Sequence, residues 1–231
     1  SAESRAALRS RLERWLDAQI DRHLKPLKAL AAVATDAAAT PAVRALAAML
    51  VDAGGLLQRK AVLGAIAHLE QPDRRTLHKL RVRLGPLDVF LPLLLKPNAQ
   101  FWRAALLALR TGQPMPALPP AGAATLPPEA DARGAVLAYR RFGREWIRID
   151  LADRLASHAH KVRSAGGDNP VDVDLATSVG LGEEAVARLM EEVGFTRAGD
   201  AWRWRGRRAP RPDRRSPPSH AFAELAKLKR K

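Results

Sequence analysis

Residues 111–128 read TGQPMPALPPAGAATLPP: six of the eighteen are proline and none is charged. Proline has no backbone N–H to donate, so this stretch can sustain neither a helix nor a central strand. It predicts a semi-rigid linker, or a loop strapped over a surface, that divides the 231-residue chain near its middle. Two folded parts are expected, over 1–110 and 129–206, followed by a basic flexible tail over 207–231. Hydrophobic residues make up 47% of the chain but aromatics only 5%, so the core must be built from Leu, Val and Ala, which favours helices. Cysteine is absent, which excludes disulfides, thiolate zinc sites and cysteine nucleophiles. No apolar run reaches the length of a membrane span, and the amphipathic, charged start SAESRAALRSRLERWLDAQ does not resemble a signal peptide. A soluble, cytoplasmic protein with no membrane partner is expected.

The first part has helical periodicity. Leu12, Trp15, Leu16, Gln19, Ile20, His23, Leu24 and Leu27 recur at three- and four-residue steps, predicting a long amphipathic helix perturbed near Pro26. Further helices are expected at PAVRALAAMLVDAG, with Pro41 in its first turn, and at LQRKAVLGAIAHLE, stopped by Pro72. Asp73 is the expected N-cap of RRTLHKLRVRL, which Gly85 and Pro86 end. LDVFLPLLLKP predicts a buried extended segment, and a last helix is expected from about Asn98 to Arg110.

The second part reads differently. DARGAVLAYRRFG predicts a helix closed by Gly143, EWIRID a short strand, and LADRLASHAHKVR a helix capped by Asp150. In DVDLATSVGLGEEAVARLMEEVGF a short helix ends at Gly180 and a second runs from Glu183 to about Val193, the spacing of a helix-turn-helix. FTRAGDAWRWRG then predicts a hairpin. The expected fold is mainly α: an N-terminal helical domain, then a winged-helix-like domain in which the EWIRID strand pairs with the hairpin, then the tail.

Chemistry-bearing patterns are few. No Gly-Lys-Ser/Thr triplet exists, so a phosphate loop of that type is excluded. His158 and His160 point apart on a helix, and Asp150 and Asp153 are explained by helix-start placement, so neither a metal site nor a catalytic residue is expected. Charge is the informative feature. Of a net +15, residues 203–231 hold +9, with eight arginines and three lysines against Asp213 and Glu224. Strand alternation puts Trp202 and Trp204 on one face and Arg203 and Arg205 on the other. The tryptophans either cover the core or offer a stacking platform for a base. Beyond them Arg207, Arg208, Arg211, Arg214 and Arg215, spaced by Pro210 and Pro212, suit an extended arm that tracks phosphates or merely solubilises the chain. Arg197 belongs to the same hairpin, and Lys79, Arg81 and Arg83 form a second basic patch. The presumptive recognition helix instead exposes Glu183, Glu184, Glu191 and Glu192, which repel phosphates and disfavour a DNA-binding regulator.

Taken in order, LRVRLGPLDVFLPLLLKP, YRRFG with IRIDLADRLA, LATSVGL, LMEEVGF and WRWRG resemble the C-terminal region of bacterial superfamily-two helicases similar to the mitochondrial degradosome RNA helicase. The resemblance runs from about Leu12 to Gly206, and its most specific piece is Leu84-Gly85 through Phe90-Leu91-Pro92 to Leu95-Lys96-Pro97. It implies that the chain, with 1–110 as a helical accessory domain, is an accessory region packed on the helicase motor domains of the same polypeptide. Those motor domains would hold ATP and magnesium, so this chain needs no cofactor of its own. It also implies a non-catalytic role in holding single-stranded RNA or DNA. A protein-interaction module that docks a partner or the motor is the other reading of the same residues.

Overall fold

A computed structural model describes residues 2–199 and 201–206. The arginines expected in the tail, Arg207, Arg208, Arg211, Arg214 and Arg215, lie outside the described residues. The chain is mostly helical with small sheets. In order come α1 (Ala2–His23), α2 (Lys25–Thr35), α3 (Pro41–Asp52), β1 (Leu56–Gln58), a 3-10 turn (Arg59–Val62), α4 (Leu63–Ala67), α5 (Gln71–Lys79), β2 (Arg83–Leu84), β3 (Asp88–Phe90), a second 3-10 turn (Pro92–Leu95) and α6 (Pro97–Thr111). After the proline-rich stretch follow β4 (Thr125–Leu126), α7 (Ala132–Ala135), β5 (Tyr139–Phe142), β6 (Glu145–Arg148), α8 (Ile149–Ser164), α9 (Val173–Ser178), α10 (Glu183–Val193), β7 (Phe195–Ala198) and β8 (Ala201–Trp204).

Local chemistry explains most boundaries. The predicted long first helix breaks at Leu24, whose φ of −118° and ψ of 19° leave helical space, and Pro26 then starts α2. Thr40 caps α3 through a bond from the Val43 N–H, with Pro41 in the first turn. α6 begins on Pro97 and stops at left-handed Gly112. α10 likewise stops at Gly194, where φ is 116° and a β-carbon would lie 2.8 Å from the Trp204 ring.

Several expectations are corrected. Residues 56–58 are not helical: Leu56 and Leu57 pair with Phe90 and Val89, so β1 joins an antiparallel sheet ordered β1-β3-β2. Asp73 is not the N-cap of α5 but its third residue, where one carboxylate oxygen accepts the Glu70 N–H at 3.1 Å and the other the Thr40 hydroxyl at 2.8 Å. Tyr139–Phe142 is a strand rather than a helix, because Gly143, at φ 61°, turns the chain so that Phe142 faces Glu145. Finally, β6 does not pair with the terminal hairpin. It lies between β4 and β5, while β7 and β8 form a separate two-stranded sheet. In the same region Arg148, not Asp150, occupies the N-cap of α8, and Asp150 in the first turn takes the Arg148 guanidinium at 2.6 Å.

Three apolar clusters result. The first fills the space among α2, α3, α5, β3 and the Pro92–Leu95 turn with Leu30, Leu46, Leu50, Leu77, Val89 and Leu94. The second joins α8, α9, α10 and β7 through Ile147, Leu155, Ala176, Leu189 and Phe195, and it includes Leu87 from the first half. Between them Leu126, Ala138, Tyr139 and Trp146 form a smaller cluster on which Leu95 packs.

The proline-rich stretch lies against the second half. The Tyr139 hydroxyl donates to the Ala123 carbonyl at 2.8 Å, the Ala117 N–H to Asp131 at 2.9 Å, and the Arg133 guanidinium to the Pro114 carbonyl. Gly134 has no room for a β-carbon because the Ala117 carbonyl sits against it. Among the described residues no helix is long and apolar enough to cross a membrane.

Candidate nucleic-acid interface

The β7–β8 hairpin sets Phe195 opposite Trp204, Thr196 opposite Arg203 and Arg197 opposite Trp202. Trp202 is half-buried against the second apolar cluster. Trp204 meets the Phe195 ring edge-on at 5.1 Å and the His160 ring at 5.2 Å, and the Arg163 guanidinium covers it at 4.4 Å from the ring centroid. Although 37% exposed, Trp204 is therefore already stacked, and a base would have to displace Arg163 to use it as a platform. Arg203 and Arg205 are exposed, as alternation requires. Arg197 is exposed as well, and its side chain donates to the Gly199 carbonyl at 3.3 Å.

Arg205 opens into a groove of about 880 Å³ between the two halves. One wall carries Arg59, Lys60, Leu63, Pro86 and Leu87; the other carries Arg140, the end of α10, Thr196 and Arg205. Five cations, Arg59, Lys60, Arg140, Arg188 and Arg205, face two carboxylates, Glu191 and Glu192. Both carboxylates have partners: Glu192 takes Arg140, and Glu191 takes Arg188 at 3.5 Å. The lining is left with an excess of positive charge beside the exposed apolar side chain of Leu63. Such a lining suits phosphates along its basic side chains.

Buried charges hold this groove in shape. Arg140 donates to Asp88 at 2.7 Å and to the Leu87 carbonyl at 3.2 Å, which ties β5 to β3. Burial outweighs Arg140 at Asp88 and pushes that carboxyl up to about 6. Asp153 on α8 binds Arg83 of β2 at 2.9 Å, and burial raises its pKa too. Its other oxygen packs where a β-carbon of Gly85 would stand, so only glycine fits there. Arg59 donates to the Gly85 carbonyl at 3.0 Å. Burial, and then the charge of Arg74, lower the Arg59 pKa.

The structure separates the members of the predicted second patch. Lys79 is exposed at the end of α5 and lines a shallow basic depression with Arg74, Arg75 and His78. Arg81 is exposed and left-handed at φ 61°, a conformation that favours glycine. Arg83 spends its charge on Asp153. Sequence reading missed Arg59, Lys60, Arg140 and Arg188 as groove residues. Arg59 and Lys60 lay in a presumed helix and Arg140 in another, so the only available signal was their charge. Among the described residues no group of three or more metal-ligating side chains comes together.

Comparison with protein-family models, with curated proteins and with solved structures finds no match to this chain.

Proposed function

We propose that this chain is a non-catalytic accessory region of an ATP-dependent helicase of superfamily two, and that it holds single-stranded RNA or DNA largely without regard to base sequence. The observation that carries the nucleic-acid reading is the groove between the halves, where five cations outnumber two internally paired carboxylates and the hairpin contributes Arg205. Guanidinium and ammonium groups of this kind neutralise phosphates and read no sequence. The tail arginines extend the same charge along the chain. The helicase reading rests on the sequence resemblance centred on Leu84 to Pro97, and it makes the motor domains of the same polypeptide, in a bacterial cytoplasm, the second partner. ATP and magnesium belong to those motor domains. A winged-helix-like assignment of the second half draws support from α9, α10 and the hairpin that follows them, which share one apolar cluster with α8. A sequence-reading regulator is disfavoured because α10 presents Glu183 and Glu184 outward at its N-terminus, the end that would enter a groove, while Glu191 and Glu192 are taken up by Arg188 and Arg140.

The test is binding of fluorescent single-stranded RNA and DNA across a salt series. Affinity is expected to fall linearly with salt on a log–log plot, and Lys60→Ala and Arg205→Ala are each expected to reduce the slope by about 0.7, the value for one lost phosphate contact to a single strand. Affinity that is absent at low salt, or slopes that neither substitution alters, sinks the reading.

A further inference from the structure

No residue of α1 is buried, and residues 2–18 are exposed throughout. Leu8, Leu12 and Trp15, at four- and three-residue steps, are 58%, 56% and 55% exposed, and Leu16 beside them is 36% exposed. They form the a/d seam of two heptads, with Arg5 and Gln19 in the same register at its ends. The seam leads into an aromatic surface on α6: Trp15 tilts against Trp102 at 5.9 Å, His23 stacks on Trp102 at 6.1 Å, and exposed Phe101 meets Trp102 edge-on at 5.9 Å. Arg5 and Arg9 border a shallow apolar trough with Leu8, Leu12, Leu16 and Glu13, and Glu13 is paired with Arg9 at 2.9 Å. Arg11 flanks the opposite side of the seam, whereas Asp17 and Asp21 lie off this face, with Asp21 turned to Lys28 of α2.

Charge identifies what covers this seam. The flanking e and g positions of α1 are Ser4, Arg9, Arg11, Leu16 and Ala18; Arg9 already has Glu13 of its own helix, and a second copy, parallel or antiparallel, brings no carboxylate at these positions to Arg11. Copies of a chain with net charge +15 also repel. A bilayer needs a broad apolar face, but this one is a narrow stripe closed by Arg5 and Gln19 and pinned by Trp102. We propose that the outer face of α1 is a docking seam for a single amphipathic helix of a partner polypeptide, one with apolar residues along its own seam and carboxylates at the flanking positions. The seam and the groove share no residue, so this inference stands apart from the nucleic-acid reading.

The probe is a labelled helical peptide of about three heptads with Leu at a and d and Glu at e and g, followed by fluorescence anisotropy with the whole chain. A twin carrying Lys at e and g and an acidic peptide with its leucines out of register serve as controls. The Glu peptide is expected to bind about tenfold more tightly than the Lys peptide, and Arg9→Glu/Arg11→Glu is expected to reverse the order. Leu12→Glu, at an exposed position that leaves the melting temperature unchanged, is expected to abolish binding, and Arg205→Glu to leave it intact. Four outcomes overturn the proposal: equal binding of the Glu and Lys peptides; binding that survives Leu12→Glu; a self-association in sedimentation that Leu12→Glu abolishes; and capture by anionic vesicles, lost in Leu12→Glu, without peptide binding.

Discussion

At Asp88 two forces of opposite sign meet on one carboxylate. Arg140 holds one oxygen at 2.7 Å, while the other is buried with no hydrogen-bond partner. Because burial dominates and the folded-state pKa stands near 6, the native protein binds a proton that the unfolded chain, at the usual value of 3.8, releases. The folded pKa is the higher one. Asp88 therefore contributes stability that is fully present below pH 3.8 and is lost as the pH rises through about 6. Lowering the pH from 7 to 5 should raise the melting temperature of the wild type relative to Asp88→Asn, in which this dependence is gone. Thermal melts of both proteins at the two pH values check it, and parallel curves would refute the assignment. The sign is opposite to that of most surface carboxylates, whose paired forms are lost in acid.

Between elements, Thr40 serves two helices. Its hydroxyl oxygen accepts the Val43 N–H at the start of α3 and its hydroxyl donates to Asp73 on α5, whose second oxygen holds the Glu70 N–H. Thr40→Ala removes a cap and an interhelical bond together and should cost about 1–2 kcal/mol in urea melts; a loss below a few tenths would show that the contact contributes nothing net. The breaks at Pro26, Pro41 and Gly180 were legible in the sequence because each acts on its own neighbours. The strands were legible only where a turn signal lay beside them, as at Gly199. β1 has three residues and finds its partner, β3, some thirty positions on, so LLQ gave no local sign of pairing. β5 buries Tyr139 and Phe142 but half-buries or exposes the arginines between them, a pattern that also fits a helix. The candidate site divides in the same way. The hairpin arginines stood out as a run, whereas Arg59, Lys60 and Arg140 reach the groove from distant segments through sheet pairing.

Across the whole molecule, arginine joins the halves. Arg103, only 6% exposed on α6, donates to the Leu94 carbonyl at 3.3 Å and to the Leu137 carbonyl at 2.5 Å, and burial lowers its pKa to about 10. Arg140–Asp88 and Arg83–Asp153 cross the same boundary. The two halves should therefore unfold in one cooperative transition, with calorimetric and van't Hoff enthalpies that agree. Arg103→Ala leaves two buried carbonyls without this donor and should destabilise the protein by about 2–4 kcal/mol, splitting the transition if the other bridges do not suffice. An unchanged single peak in Arg103→Ala would remove Arg103 from the joint. Since Arg103 grips neutral carbonyls away from solvent, dissolved ions cannot screen it. At roughly 1 M salt, where screening acts over about 3 Å, a strand held as proposed should leave the groove while the joint at Arg103 stays in place, and dialysis should then let it return without refolding of the protein.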